Sequence, residues 1–485
     1  MHSGVHPLAG YRETGGGEAK VTDKKAPNRH LETVMTQAAV TNKGLAARVR
    51  AEAARSGLNI SPDHTSVKRW LDGGHPHEDT IRCIATALGT KLGRVVTFDE
   101  IGFGSTAAGT SIDLAQDAVL FPASPSRATD VLDSLTAADM TDDSAVNSTP
   151  WDPTPVPSVI TGYLFSAPNW QDTLGVPNGG HDGLAGRIRA TVRTLVDLDF
   201  RYGGGHSRRL LLAYWRAEIV PALRGARGET ASRAIYAAAA DAAAMLGWSA
   251  YDAGHHGAAQ RYYTQGLRLA RDAGDALMGA KILSNLSHQA NYLGNFNEAV
   301  HFARAAQSTM LGLKSRTVSS MALAMEARAL ASLGDARGSG TALNRAEREF
   351  ALRVEAEDPE WIAYFDALEL AGEAAHCFRE LGQAQKTQLF AAQAIDLQLT
   401  PARTQSFINI VHAEGALAAG NLDEAVTLAT RSVELAGSVQ SSRQLRYLTD
   451  FCKTLAAGRH LDHPSVRDLA EGLILKDRAL AAHLR

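Results

Sequence analysis

The chain has 485 residues and a formal net charge of -3, and its residues are 45% hydrophobic, 21% charged and only 6% aromatic. This length exceeds what one hydrophobic core normally serves, so we expect two or three domains. Alanine is abundant over residues 231–460, which favours helices over sheets, and the sequence therefore predicts an all-α protein. The charge excludes a chain that is basic throughout, although it does not exclude a local basic patch.

The cysteines indicate a reducing environment. Cys83, Cys377 and Cys452 lie far apart, without the spacing of a disulfide scaffold or a structural zinc site. No apolar run reaches the roughly 18 residues of a membrane span, and the first 28 residues lack the hydrophobic segment of a signal peptide. We therefore predict a cytoplasmic protein without membrane contact and a disordered tail over residues 1–28, for which a misassigned start codon is the alternative explanation.

The stretch "TSVKRWLDGGHP" predicts a short helix anchored by a tryptophan. Val67, Trp70 and Leu71 fall at i, i+3 and i+4, so one face of this helix is buried. Asp63 or Thr65 is suited to cap its start, and the glycines and proline that follow Leu71 end it. We expect Trp70 to hold the helix down while other side chains project outward.

The outward side chains are polar or basic, as a nucleic-acid-binding helix requires. An α-helix fits the DNA major groove, and short polar or basic side chains reach base edges there. Residues 29–104 hold ten Lys or Arg against eight Asp or Glu, and the bland alternative is an Ala-rich helical cap with solvated charges. The candidate DNA contacts, on this helix and on the preceding "KGLAARVRAEAAR", are Thr65, Ser66, Lys68, Arg69, Arg48 and Arg50.

The next two segments read as connections. Residues 105–160 contain one basic residue, eight acidic residues and six prolines, which favours an acidic linker with a short helical stretch near "RATDVLDSLTAADM". Residues 161–230 predict a helical connector. Its Gly203 to Gly205 favour a helix-to-helix turn over a phosphate-binding loop, because no P-loop lysine accompanies them.

Residues 231–460 carry an internal repeat. "LGNFNEAV" at 293–300 is nearly repeated by "AGNLDEAV" at 419–426, and glycines follow apolar helices at positions 254, 294, 334, 382 and 420. The intervals of 40, 40, 48 and 38 residues fit paired helices joined by a Gly turn, which predicts a helical solenoid. Residues 461–485 predict one further C-terminal helix.

These units resemble tetratricopeptide repeats, whose consensus places a Gly at the turn and a small residue after it. Gly294 with Ala299 and Gly420 with Ala425 match best, although the period exceeds the usual 34 or so residues, so the label is TPR-like. "SVKRWLDGGHP" with "IATALGTKLGRVVTFDEIGFG" resembles the xenobiotic-response-element type of helix-turn-helix. Together with "LDFRYGGGHSRR", "GWSAYDAGHHGAAQRYY" and "LSHQANYLGNFNEAV", the layout over about 30–460 is similar to actinomycete regulators of the NsdA type.

One departure from the helix-turn-helix pattern is the connection before the candidate recognition helix. Ser56 to His64 intervene where three or four residues are usual, and we expect this loop to alter the docking angle or to form a wing against the DNA backbone.

The first helices of the repeats predict a groove. Positions six residues before each turn Gly align as a column of Trp248, His288, Arg328, His376 and Glu414, with Tyr292 among the neighbours. Packing and ligand binding are equal interpretations of the aromatic residues, and binding is favoured for Arg328 and His288. The candidate partner or effector residues are Trp248, Asp252, Lys281, His288, Asn291, Arg328, His376 and Arg379.

No catalytic motif is legible, and the adjacent pair His255 and His256 has poor chelating geometry, so we expect no enzyme, metal or cofactor. We predict a regulator that binds double-stranded DNA and forms a homodimer, with a peptide, protein or small-molecule effector. The NsdA-type resemblance implies repression of sporulation, development and antibiotic production. The rival function is a TPR-like adaptor that never touches DNA.

Overall fold

The chain is helical. The computed structural model describes residues 27–55, 58, 60–94, 96, 98, 100–103, 114, 117–141, 144–166, 181–202, 204–226, 229–436, 441–458 and 460–474. Within these residues the regular elements are helices and no strand occurs, which confirms the all-α prediction. The chain divides into two compact units, Met1–Ser111 and Ile112–Arg485. The predicted disordered tail over 1–28 lies almost entirely outside the described residues.

The first unit contains four helices around its own core. They are α1 (Arg29–Gln37), α2 (Asn42–Arg55), α3 (His64–Leu71) and α4 (Glu78–Leu92). α2 packs against both α3 and α4. Fully or almost fully buried side chains fill the space between them, among them Leu31, Leu45, Val49, Val67, Trp70, Ile84, Leu88 and Ile101.

Asn28 fixes the start of α1 to the rest of this unit. Its side chain accepts a hydrogen bond from the Leu31 amide and donates one to the Ile101 carbonyl at 2.9 Å. Its own amide donates to the carbonyl of Leu71, the last residue of α3. One residue therefore caps α1 and joins it to the end of α3.

The second unit begins with helices that sequence analysis assigned to connections and continues with stacked helix pairs. Its helices are α5 (Pro125–Met140), α6 (Ser144–Asn147), α7 (Val156–Phe165), α8 (His181–Tyr202), α9 (Gly204–Tyr214), α10 (Val220–Gly225), α11 (Glu229–Asp252), α12 (His256–Ala273), α13 (Ala276–Tyr292), α14 (Phe296–Thr309), α15 (Arg316–Ser332), α16 (Ala336–Ala351), α17 (Ala367–Glu380), α18 (Ala384–Gln393), α19 (Ala402–Ala418), α20 (Leu422–Ala436), α21 (Ser442–Ala457) and α22 (Pro464–Ile474).

The predicted linker over 105–160 is wrong for the part that the structure describes. Residue 114 and residues 117–141 and 144–160 lie across α12, and α5 packs directly on that helix. Side chains of α12 donate hydrogen bonds to main-chain carbonyls of this segment: Arg261 to Leu114 at 2.7 Å, Gln265 to Ala118 at 2.8 Å, Arg268 to Pro122 at 3.4 Å and Gln260 to Asp152 at 2.6 Å. Residues 114, 117–141 and 144–166, which we call the strap, therefore belong to the core of the second unit.

The composition of the strap misled because its prolines begin helices and its acidic residues pair with arginines elsewhere in the second unit. Pro125 and Pro157 occupy the first turns of α5 and α7, where the missing amide costs nothing. The acidic residues pair with arginines from later helices: the buried Asp139 lies 2.7 Å from Arg208, and Asp133 lies 2.9 Å from Arg224. An excess of negative charge within one segment is thus balanced across the fold.

The predicted helical connector over 161–230 is also part of this core. α8 and α9 pack on α11, and Ile188, Leu211 and Trp215 are completely buried. The predicted break at Gly203 to Gly205 falls where α8 gives way to α9, although Gly203 itself lies outside the described residues. The prediction of a separate connector is therefore wrong for these helices.

Five helix pairs follow, each closed by the glycine that the sequence indicated. Gly254, Gly294, Gly334, Gly382 and Gly420 have φ between 65° and 89°, the left-handed region that glycine occupies without strain. The first helices of successive pairs, α11, α13, α15, α17 and α19, pack on one another. Ala299 and Ala425, the small residues after two of these turns, are completely buried between helices.

α21 and α22 continue the same arrangement as a sixth pair. α21 packs on α19 and α22 packs on α20, as the members of successive pairs do. Phe451, Leu455, Val466 and Leu469 share one core with them. The predicted boundary at 460 and the separate C-terminal helix over 461–485 are therefore incorrect for residues up to 474. We call α11 to α22 the helix-pair array.

Candidate functional site

The start of α3 is fixed by Asp63. Its carboxylate accepts hydrogen bonds from the Ser66 amide at 2.8 Å, the Ser66 hydroxyl at 2.9 Å and the Thr65 hydroxyl at 2.7 Å. The Thr65 hydroxyl, followed by the Ser66 amide and hydroxyl, holds the pKa of Asp63 well below its usual range. Of the two predicted caps, Asp63 is the N-cap, and the hydroxyls of Thr65 and Ser66, both predicted to contact DNA, are bonded to it.

Trp70 anchors α3, as the spacing predicted. Val67 is fully buried and Trp70 is only 3% exposed, and both belong to the core of the first unit. Lys68 and Arg69 lie between them in sequence and project into solvent. Neither makes an ion pair or side-chain hydrogen bond with any residue in the described parts of the chain. Two cationic groups therefore remain available on the outer face of α3.

The two predicted α2 arginines have different surroundings. Arg48 is exposed, whereas Arg50 donates a hydrogen bond to the Pro62 carbonyl at 2.5 Å and so holds the end of the connection between α2 and α3. Leu58 and Ile60 of that connection pack against the core. The described part of the connection is therefore folded onto the unit, and Arg50 shapes it.

The predicted column of the array does lie together. The rings of Trp248 and His288 are 5.8 Å apart between centroids, and the Arg328 guanidinium lies 3.1 Å from His288 Nε2. Tyr251 completes the group, since its hydroxyl lies 2.9 Å from His288 Nδ1. We call the side of α11, α13, α15, α17 and α19 that carries these side chains, with His376 and Glu414, the inner face.

Arg328 is already paired within the chain. It is 7% exposed, and its guanidinium lies 2.9 Å from the Glu373 carboxylate. Burial, followed by the neighbouring arginine charges, holds the pKa values of His288 and His376 well below their usual range, so both imidazoles are neutral at pH 7. A ligand carboxylate would have to displace Glu373, and this geometry favours packing over the predicted effector contact.

α21 supplies inner-face residues that sequence analysis missed. The Arg443 guanidinium lies 5.0 Å from the ring centroid of Trp248 and 4.5 Å from that of Phe407. Tyr447 stacks edge-on against His376 at 5.9 Å. Gly458 ends α21 with a φ of -76° instead of the positive φ of the five turn glycines, and it was not counted among them, so the predicted column stopped at Glu414. The sixth pair thus covers aromatic faces of the first.

Asp252, another predicted groove residue, lies at the centre of this closure. It is completely buried and accepts a hydrogen bond from the Ser441 hydroxyl at 2.9 Å. Its Oδ1 lies 2.7 Å from the Arg403 guanidinium and 3.5 Å from Arg443 Nε. One carboxylate therefore joins the end of α11 to the beginnings of α19 and α21.

The remaining groove candidates are scattered. Lys281 pairs with Asp241 at 3.3 Å and lies 4.7 Å above the Trp361 ring. Arg379 pairs with Glu414 at 3.2 Å, and Asn291 is half-buried. Within the described ranges, no group of three or more His, Cys, Asp or Glu residues is arranged to hold a metal ion. None of the helices described there combines the length and apolarity needed to cross a membrane.

Part of the first unit is similar to a known domain family. Residues 31–104 match the family model of the SP15 N-terminal domain. This stretch covers α2, α3 and α4 in full and nearly all of α1, so it lies within the first compact unit. No curated protein matches the chain.

Proposed function

We propose that the protein is a DNA-binding transcriptional regulator in which α3 is the recognition helix. The observation that carries this proposal is the pair Lys68 and Arg69, exposed and without partners in the described chain, on a helix held down by Trp70. A helix of this kind fits the major groove, where Arg and Lys side chains bind the acceptor atoms of guanine. The exposed Arg48 of α2 is placed on the phosphate backbone in this account.

The packing of α2 on α3 supports a helix-turn-helix of the xenobiotic-response-element type. α2 crosses α3 and both rest on the core that α4 completes, which is the order that such a domain requires. Asp63 presets the first turn of α3, so the helix is ordered before it meets DNA. Thr65 and Ser66 serve the cap in the free protein, which leaves Lys68 and Arg69 as the main base-reading side chains.

The helix-pair array acts, in this proposal, as the TPR-like scaffold of a cytoplasmic regulator. Its inner face is filled by Arg328, Glu373, Arg443 and Tyr447, so self-association is favoured over an effector held in that face. The resemblance to NsdA-type regulators implies repression of development and antibiotic production.

A second candidate function is a protein-interaction adaptor. The observation that favours it is the small positive charge of the first unit, since residues 29–104 carry only two more basic than acidic side chains. The salt dependence of DNA binding separates the two functions. Each phosphate contact releases counterions from the DNA. A plot of the logarithm of the binding constant against the logarithm of the salt concentration should therefore have a slope of about -0.9 per contact.

The test measures fluorescence anisotropy of labelled duplexes, selected from a random library by the full-length protein, over a range of salt concentrations. We expect selection of a defined sequence and a steep negative slope on it. Recovery of random sequences only, with no binding at about 50 mM salt, would reject the regulator and leave the adaptor as the function to test.

A further inference from the structure

A cleft at one end of the helix-pair array has the size of a small-molecule site. It encloses about 440 Å³ between α8, the first turns of α11 and the turn that joins α12 to α13. Small-molecule sites usually enclose about 300–1,000 Å³. We call it the arginine cleft, because Arg189 of α8 and Arg233 of α11 line it. It lies about four helical turns along α11 from Trp248, so it is separate from the inner face.

The two arginines make the cleft suitable for a carboxylate. Arg189 is exposed, and it makes no ion pair or side-chain hydrogen bond in the parts of the chain that the structure describes. Arg233 pairs with Glu229 at 2.7 Å, but these side chains are 47% and 55% exposed, and such exposed pairs contribute little stability. A ligand carboxylate can therefore take the place of Glu229. Guanidinium groups bind carboxylates through two parallel hydrogen bonds.

Asp275 adds one negative charge to the same cleft. Its amide donates to the Ala270 carbonyl at 3.0 Å, and its Oδ1 accepts from the Met278 amide at 2.9 Å as the N-cap of α13. These two bonds hold the carboxylate in place. Burial raises the pKa of Asp275, whereas the Met278 amide and the charge of Arg189 lower it. Arg189 and Asp275 thus lie close enough for their charges to interact.

The rest of the cleft is lined mainly by aliphatic side chains. Leu277 of α13 and Leu313 of the loop between α14 and α15 contribute to it, with Ala234 and Ala237 of α11. Leu313 is 43% exposed. A ligand with an aliphatic body would remove this surface from water, which favours binding.

The charged groups of the lining select a ligand that carries both signs. A simple anion would be repelled by Asp275, and a simple cation would meet two guanidinium groups. A molecule with a carboxylate for the arginines, an ammonium group for Asp275 and an aliphatic body for the leucines matches every part of the lining. Its ammonium group would also favour the ionised form of Asp275.

We propose that the arginine cleft binds a small aliphatic zwitterion, either a free amino acid or a short peptide. The site goes beyond the proposed function and does not depend on it, since all of its residues belong to the second unit.

The experiment is isothermal titration calorimetry of the full chain with L-leucine and with dileucine, which distinguishes a free amino acid from a short peptide. Isocaproate lacks the ammonium group of leucine, and isoamylamine lacks its carboxylate. We expect L-leucine or dileucine to bind with a Kd of about 1 mM or below. The two analogues with a single charge should bind at least about 10-fold more weakly, because each loses its hydrogen bonds to a charged group.

The test variants are Arg189→Gln and Asp275→Asn. Asparagine is also a good N-cap, so the second variant keeps the start of α13. Arg187→Gln is the control for the first, because Arg187 is exposed on the same helix but two positions away, where side chains do not share a face. Asp335→Asn is the control for the second, because Asp335 also caps a helix directly after a glycine with positive φ.

Both test variants should bind the zwitterion at least about 10-fold more weakly, while both controls bind it as the wild type does. The loss in Asp275→Asn should not extend to isocaproate, which has no ammonium group for this carboxylate. The proposal is overturned if neither L-leucine nor dileucine binds at about 10 mM, if isocaproate binds the wild type as tightly as they do, or if the controls are weakened as much as the test variants.

Discussion

The closure between the first and sixth helix pairs makes Asp252 the most informative position for a stability measurement. Asp252→Asn keeps the size of the side chain but removes the negative charge that faces Arg403 and Arg443. These arginines are only 5% and 9% exposed. Removing one partner from a buried ion pair leaves an uncompensated charge and costs about 3–5 kcal/mol.

Asp199 lies 3.9 Å from Arg403 and further from Arg443. Burial raises its pKa, Arg403 opposes that effect and the Asp252 charge adds to it, so loss of the Asp252 charge favours ionisation of Asp199 beside Arg403 and leaves Arg443 as the uncompensated charge. We therefore expect the contact between α11 and α21 to open in the variant while α21 stays packed on α19. Because the chain has two units, the whole-protein melt is not a two-state measurement.

Native-state amide exchange resolves the opening by residue. The free energy of opening for the first turn of α21 should fall by about 3–5 kcal/mol, or to zero if less is available. Asp450→Asn on the same helix is the matched control, because that exposed carboxylate pairs with Arg446 at 3.7 Å and contributes about 0–1 kcal/mol. Equal exchange in the two variants would refute the role assigned to Asp252.

Three further predictions concern other parts of the chain. Trp70→Ala should destabilise the first unit by about 3–5 kcal/mol, seen as early loss of its amide protection, since the ring is 3% exposed; normal protection would make Trp70 a surface contact. Burial, with the Glu373 charge, raises the pKa of Glu369 to about 8, so the protonated side chain is favoured in the folded protein. The stability that this protonation contributes should be lost as the pH rises from about 5 through 8. Denaturation measured at pH of about 5 and about 8 should show a smaller loss of stability between the two in Glu369→Gln than in the wild type, and an equal loss in both proteins contradicts the raised pKa of Glu369. Gln265→Ala should leave the Ala118 and Leu120 carbonyls unpaired at a cost of about 1–3 kcal/mol, with faster proteolysis of the strap than in wild type.

Local signals in the sequence were sufficient where the cause of the structure is local. The i, i+3, i+4 spacing placed Trp70 in a core, and the glycines at 294 and 420 adopt positive φ because only a left-handed residue closes these tight turns. Both features depend on a few neighbouring residues. Asp63 was recognised as a candidate cap for the same reason.

Features that depend on distant partners escaped the sequence. The acidic strap resembled a linker because the arginines that balance Asp139 and Asp133 lie some 70 and 90 residues further along. Arg328 resembled a ligand contact because Glu373, on the next first helix, carries no mark of its role. The sixth pair has Gly458 at the end of α21, but the sequence around it does not repeat the pattern of the other turns, so Arg443 and Tyr447 were not added to the inner face.

The central claim is that Lys68 and Arg69 read DNA. The most direct test compares the wild type with Lys68→Ala plus Arg69→Ala on the selected duplex. Arg337→Ala plus Arg345→Ala, two exposed arginines of α16, is the control with the same loss of charge. At about 1–3 kcal/mol for each base contact, specific affinity should fall at least 30-fold in the α3 variant, with an unchanged thermal melt, while the control binds as wild type does. Equal affinity of all three proteins for the selected duplex would contradict the assignment of α3 as the recognition helix.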